Sequence, residues 1–432
     1  MKSGLRENAA AIRSGKLSSR GYCERLLGKI REREPRVQAW AAFDASRALA
    51  LAQACDGKRG SGAALGPLHG IPVGVKDIID TADLPTEMGS PVFAGNRPAA
   101  NAAVVECLLA AGAYVLGKTV TTEVAFLHPG KTRNPRNPAH TPGGSSSGSA
   151  AAVAAGMVPG AIGTQTNGSV IRPAAFCGVV GFKPGFGLVP IEGVLPFSPA
   201  LDQLGVFTRS VADAAALAAA IAAPGSISAE VGKESGAPRI AFLANFPWNK
   251  ADPDAAAHLT AVLARLAAAG ASAGELALEA PLPDAKRVHR TIMLYEGARQ
   301  HSARQATQRA SLSPELNAAI DEGLGISDED YARALGAAGG IRKRASDLFD
   351  HCDVVASLPA PGAAPASLDT TGDPSFCTLW SLTGFPSITI PTGLSAAGLP
   401  FGLQLAARAG AEDRLLRAAQ WCESVVAFSA SA

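Results

Sequence analysis

Apolar positions along this chain follow two periods, and the chain switches between them from one end to the other. Leu26, Leu27 and Ile30 share one helical face within the first forty residues, and Ser18-Ser19 can cap its start. Gly70-Ile71-Pro72-Val73-Gly74-Val75 has the length of a buried strand and ends at Lys76-Asp77. Val104, Val105, Leu108 and Leu109 predict a helix that stops at Gly112, and Ala113 to Leu116 predicts a strand after it. An Ala-rich helix is expected from Ala150 to Gly156, then a short strand around Ala161-Ile162-Gly163. Leu259, Val262, Leu263 and Leu266 mark an amphipathic helix. Ser387 to Pro391 and Phe401 to Leu405 read as buried strands. This mixing of strands and helices makes the class α/β. There is no internal repeat, and residues 226–236 read as a surface loop.

Between these elements lies Pro142-Gly143-Gly144-Ser145-Ser146-Ser147-Gly148-Ser149. A loop so rich in Gly and Ser, flanked by ordered core segments, is a place to look for chemistry. Composition narrows the chemistry. Of 432 residues, 39 are basic and 37 acidic, so a net charge of +2 leaves no basic field for nucleic acid. With 47% hydrophobic residues the chain folds around a core, built mostly from aliphatic side chains because aromatics are only 5%. The 46 glycines and 30 prolines show no collagen-like period and point to many turns. Seven dispersed cysteines, without a CxxC or a zinc-like Cys/His spacing, read as reduced thiols rather than a metal site. The first eight residues lack an apolar signal core, and the run Ala214 to Ala223 is too short to span a membrane. A cytoplasmic enzyme without membrane contact is expected.

Three motifs compete for the site. Gly112-Ala113-Tyr114-Val115-Leu116-Gly117-Lys118-Thr119 fits a phosphate loop, which would make this a nucleotide-binding protein using Lys118. The residues between its glycines, however, read as a strand rather than a loop. Gly144-Ser145-Ser146-Ser147-Gly148 fits a nucleophile elbow centred on Ser146. That reading needs a downstream histidine. His258, His289, His301 and His351 have no recognisable setting, and His258 and His301 fall in helical patterns expected at the surface. Asp77 reads as a local cap or partner, His140 as structural, and Met88 and Trp380 as core.

The third constellation is longer. Gly70-Ile71-Pro72-Val73-Gly74-Val75-Lys76-Asp77, Gly143 to Ala150, Gly168-Ser169, and Phe176-Cys177-Gly178-Val179-Val180-Gly181-Phe182-Lys183-Pro184 together resemble the amidase signature family in order and spacing. The resemblance runs from the N-terminal helix to Gly398-Leu399-Pro400-Phe401-Gly402-Leu403-Gln404. Thr86 to Ser90, Thr164-Gln165-Thr166 and Val170-Ile171-Arg172-Pro173 look most like its malonamidase members. The resemblance implies a single domain over residues 1–432 with a signature core at about 66–200, and a mixed sheet covered by helices on both faces. It implies a Ser-cisSer-Lys triad with Ser169 as nucleophile, Ser145 as bridge and Lys76 as base. Backbone N–H groups of Thr166, Asn167, Gly168 and Ser169 would form the oxyanion hole, and no cofactor or metal is required. A lysine can act as base only when neutral, and burial favours that form.

Arg172 stands three residues after the proposed nucleophile, where the general family pattern has its Arg two after. One helical residue turns a side chain by about 100°, so this guanidinium faces elsewhere. It is expected to grip a substrate carboxylate, with Ser146 and Gln165 as further substrate contacts. A small monoamide of a dicarboxylic acid, malonamate-like, is the substrate class this implies. A broad small-amide hydrolase, a glutaminase-like amidotransferase subunit with partners, and a non-catalytic scaffold are the alternatives. A homodimer is expected from the resemblance alone.

Overall fold

Alternation along the strands decides how this chain is layered. In the computed structural model, which describes residues 4–232 and 236–428, eleven strands form one sheet among the described residues. In chain order they are β1 (Trp40–Phe43), β2 (Pro72–Lys76), β3 (Tyr114–Thr119), β4 (Gly160–Gln165), β5 (Val180–Lys183) and β6 (Gln203–Thr208). They continue with β7 (Arg239–Leu243), β8 (Ser272–Glu275), β9 (Val354–Ser357), β10 (Ser387–Leu394) and β11 (Pro400–Ala406). The spatial order is β1-β3-β2-β4-β6-β5-β10-β11-β9-β7-β8. Val73, Val75, Val115, Ile162 and Val206 face one apolar cluster, while Tyr114, Leu116, Ala161 and Phe207 face another. Period-two alternation thus feeds two cores, one on each face of the sheet.

Helices cover both. Leu5, Ile12, Val104, Leu108 and Leu217 pack on the first face; Leu27, Ile30, Ala48 and Ala150 to Val153 pack on the second. The expected mixed sheet with helices on either side is what the chain forms. The first long helix, Ser19–Val37, is capped by Ser18, whose side chain accepts from Gly21 N–H at 3.0 Å. The helix Pro253–Ala268 buries Leu259, Val262, Leu263 and Leu266 as the pattern predicts. Of the expected surface loop, residues 233–235 lie outside the described residues, as do Met1 to Ser3. The remainder of the loop is mostly exposed, with Ile227 and Val231 buried. Among the described residues, no helix is long and apolar enough to cross a membrane.

Two features position the site. Strands β2 and β4 are parallel neighbours, Gly74 opposite Ala161 and Val75 opposite Ile162, so their C-terminal ends emerge side by side. The Ala-rich helix begins at Ser147, three residues earlier than the sequence pattern suggests, and is buried from Ser147 to Val153. Gly148 permits this. A Cβ there would lie 2.3 Å from the Val120 nitrogen and 2.4 Å from the Ala39 oxygen.

Candidate active site

Lys76 ends β2 and is fully buried. Its Nζ donates to Ser145 Oγ and to Thr164 Oγ1, each at 2.7 Å. Ser145 follows a cis peptide bond, Gly144–Ser145, on the Gly/Ser loop. Burial pushes the Lys76 amine down to about 7, against a smaller opposing pull from the Asp202 carboxylate.

Two other lysines are also buried, and their partners show what is different about Lys76. Lys118 donates to Ile79 O at 2.6 Å and Thr86 Oγ1 at 2.5 Å, and it pairs with Asp77 Oδ1 at 3.5 Å. Lys183 donates to Gln203 Oε1 and Phe385 O, both at 2.7 Å, and to Pro184 O at 3.4 Å. Burial lowers these amines too, Lys118 to about 8 and Lys183 to about 7, but Lys118 faces the Asp77 carboxylate and Lys183 only carbonyl-type oxygens, groups that accept and do not donate. Both partners of Lys76 are hydroxyls, which donate as well as accept. Of the three, the Lys76 site therefore suits the amine in both protonation states, which a proton acceptor requires.

Ser169 lies just before the helix Ile171–Cys177 and lines a cavity of about 240 Å³. Thr166, Asn167, Gly168 and Arg172 line the same cavity. The backbone N–H groups of Asn167, Gly168 and Ser169 have no partner among the described residues, which leaves them open to an incoming anion. Likewise, no hydrogen bond joins Ser145 to Ser169 among the described residues; such contacts commonly tighten only with substrate bound. Thr166 Oγ1 donates to Asp202 Oδ1 at 2.5 Å, and Phe197 and Ser198 N–H groups donate to Oδ2 at 2.8 and 2.9 Å. Burial still raises this carboxyl to about 6.

Arg172 is buried in the cavity wall. Its Nη2 donates to Gly144 O at 2.8 Å and to Thr371 Oγ1 at 3.1 Å, holding the carbonyl of the cis peptide. Its Nε and Nη1 are buried without partners, and it forms no ion pair among the described residues. Burial lowers it to about 10.

Two expected substrate contacts are placed elsewhere. Gln165 is fully buried below the cavity. Its Oε1 accepts from Val170 and Ile171 N–H at 2.8 and 3.0 Å, capping the short helix, and its Nε2 donates to Ser381 Oγ at 3.0 Å. Ser146 Oγ donates to Thr164 O at 3.1 Å and accepts from Thr164 N–H at 3.2 Å. Both side chains spend their polar atoms on the protein, and neither lines the cavity. This also removes the elbow reading, since Ser146 is closed off beneath the loop. The phosphate-loop reading falls because residues 114–119 form β3, whose backbone is paired with β1 and β2.

The histidines need correction as well. His301, expected at the surface, is buried with its ring 5.6 Å from Phe197. His258 is half-buried, bonded to Thr392 Oγ1 at 2.9 Å. His140 is structural, its Nδ1 on Ala364 O at 2.8 Å. Met88 and Trp380 are core residues. His289, which sequence reasoning left without a recognisable setting, is placed at the site. It lines the cavity from the helix Ala285–Gln308, together with Lys286, Arg290 and Met293 at helical spacing. No group of His, Cys, Asp and Glu suited to a metal ion occurs among the described residues.

A lysine poised near neutrality, a serine pair and free backbone donors at one cavity suit acyl transfer. The family description Amidase fits residues 22–416, and this chain belongs to that family, the amidase signature enzymes. A glutamyl-tRNA(Gln) amidotransferase subunit of Roseiflexus castenholzii is 35% identical, covering 93% of this chain and 91% of that protein. The corresponding protein of Anaeromyxobacter dehalogenans is 34% identical, covering 97% and 95%. The native peptide amidase of Stenotrophomonas maltophilia has a similar structure, with a TM-score of 0.82 at 30% identity over 98% of this chain and 96% of that one. A further amidase crystal structure gives a TM-score of 0.89 at 29% identity over 98% and 99%. The chain is an amide-hydrolysing enzyme. The particular likeness to malonamidases gives way here, because these relatives by sequence belong to amidotransferases.

Proposed function

We propose that this enzyme hydrolyses a small amide bearing a carboxylate, malonamate-like in size, through Ser169, Ser145 and Lys76. The observation that carries the proposal is the buried Lys76 amine at 2.7 Å from Ser145 Oγ, beside a cavity lined by Ser169. Neutral Lys76 takes the Ser145 proton as Ser145 takes that of Ser169. The Ser169 oxygen attacks the amide carbon, and the backbone N–H groups of residues 166–169 receive the oxyanion. The proton returns to the leaving nitrogen, so ammonia or an amine departs and an acyl-serine remains. Water, activated by the same base, then releases the acid.

Arg172 supports a carboxylated substrate. A buried guanidinium with two unpartnered donor groups and no counter-ion is costly, and a bound carboxylate relieves that cost. The cavity of about 240 Å³ suits a short acyl chain. The test is a panel of small amides, with and without a carboxylate, followed by ammonia detection using Ser169→Ala as the blank. Release from no member overturns the proposal.

A second reading follows from the relatives named as amidotransferase subunits: glutamine as the amide, with ammonia passed to a partner protein. Glutamine in the panel tests it. Turnover of glutamine above every other member, and only when a partner is added, would favour this reading.

A further inference from the structure

We propose that His289 is a positioning residue for the oxyanion loop, setting the direction of the Asn167 N–H through the Thr166 carbonyl. The inference rests on the reading of residues 166–169 as the oxyanion hole. In a trans peptide the C=O and N–H point in opposite directions, so whatever holds the carbonyl also aims the donor. The cis peptides among the described residues lie elsewhere, at Gly144–Ser145 and Ala280–Pro281. The Thr166 carbonyl accepts from His289 Nε2 at 2.9 Å. The next carbonyl, that of Asn167, accepts from Ser381 Oγ. Two successive peptide planes carrying the Asn167 and Gly168 N–H groups are therefore each pinned from the carbonyl side.

The chemistry of the imidazole suits this task. A carbonyl can only accept, so Nε2 must carry the hydrogen, which fixes the tautomer and leaves Nδ1 as a bare acceptor. His289 is 2% exposed, and burial pushes it down to about 4, so the ring stays neutral across the working range. A neutral ring brings no positive charge that would stabilise the bound substrate and the oxyanion alike. The same helix places Lys286, Arg290 and Met293 in the cavity wall. The helical layer over the sheet thus walls the substrate and aims the donors through one element, although its sequence carries none of the signature residues.

The test compares His289→Phe, which keeps ring bulk without a donor, with His289→Gln, whose amide N–H restores one. In His289→Phe, kcat on the best amide of the panel should fall on the order of 10- to 100-fold, with KM little changed. Affinity for a boronic acid analogue of the tetrahedral state should fall in parallel with kcat/KM. His289→Gln should recover most of kcat. Ser381→Ala, which releases the neighbouring carbonyl, should give the same split and serves if the Phe variant does not fold. Wild-type kcat in both His289→Phe and Ser381→Ala, a loss confined to KM, or a Gln variant no better than Phe would overturn the inference. Activity retained in Ser169→Ala would instead overturn the reading beneath it.

Discussion

Lys76 and Ser145 stand 69 residues apart in the chain and meet at 2.7 Å between Nζ and Oγ, sealed from solvent. In the proposed mechanism the buried amine, lowered to about 7, takes the proton that this hydroxyl relays. Lys76→Ala should lower kcat/KM about 10²- to 10⁴-fold, the range for losing a general base. Lys76→Arg should not rescue it, because a guanidinium stays protonated. Steady-state kinetics on an uncharged amide measure both.

The pH profile follows from the same residue. The proposed mechanism needs Lys76 neutral, and burial brings its amine to about 7. The kcat/KM for an uncharged amide should therefore fall tenfold per unit as pH drops below about 7, and level off above it. The sign is that of a base, lost by protonation. A profile flat from about pH 5.5 to about pH 9 would exclude Lys76 as the group whose ionisation limits the rate.

Arg172→Ala should separate its two contacts. Loss of the Gly144 and Thr371 bonds should lower kcat on every amide alike. Loss of the open donors should raise KM about 10-fold or more only for carboxylated amides. An equal change on charged and neutral substrates would assign Arg172 to holding the loop alone.

Lys118 tests the phosphate-loop motif from the other side. Its ammonium lies 3.5 Å from the buried Asp77 carboxylate, and removing it leaves that charge unpaired. Lys118→Met should cost about 3–5 kcal/mol in denaturant unfolding. Isothermal titration of the wild-type protein with ATP should give no heat of binding.

Ser146→Ala should be mild. It loses two hydrogen bonds to Thr164 backbone atoms, worth about 1–2 kcal/mol together, and keeps most of its activity. Abolished hydrolysis in a folded Ser146→Ala protein would restore the elbow.

What the sequence made legible divides along physical lines. Lys76, the Ser145 loop and the Ser169 turn came to notice through the family resemblance, whose motifs keep their order and spacing along this chain. Strands β2, β3 and β4 were readable because an unbroken apolar run needs only local pairing to be recognised. Their order in the sheet was not, since β10 pairs with β5 across some two hundred residues that carry no local sign of it. Gln165 and Ser146 were misplaced because a polar residue beside a nucleophile reads the same whether it faces the substrate or the backbone. Only the Val170 and Ile171 N–H groups accepted by Gln165 decide between them. His289 was left without a setting because a buried histidine on an amphipathic helix looks like any other member of its apolar face. Its partner, the Thr166 carbonyl, is 123 residues away and invisible to periodicity.

The position of β10 has a consequence for the life of the molecule. Thr371, Thr378 and Ser381 clasp Arg172 and Asn167 from the last quarter of the chain, and β10 completes the sheet beside β5. The ribosome delivers Lys76, Ser145 and Ser169 long before it delivers their clasp. A nascent chain that has emerged only through Ser169 therefore lacks the side chains that hold Arg172 and the Asn167 carbonyl, and the site can take its final form only after Ser381 has been added.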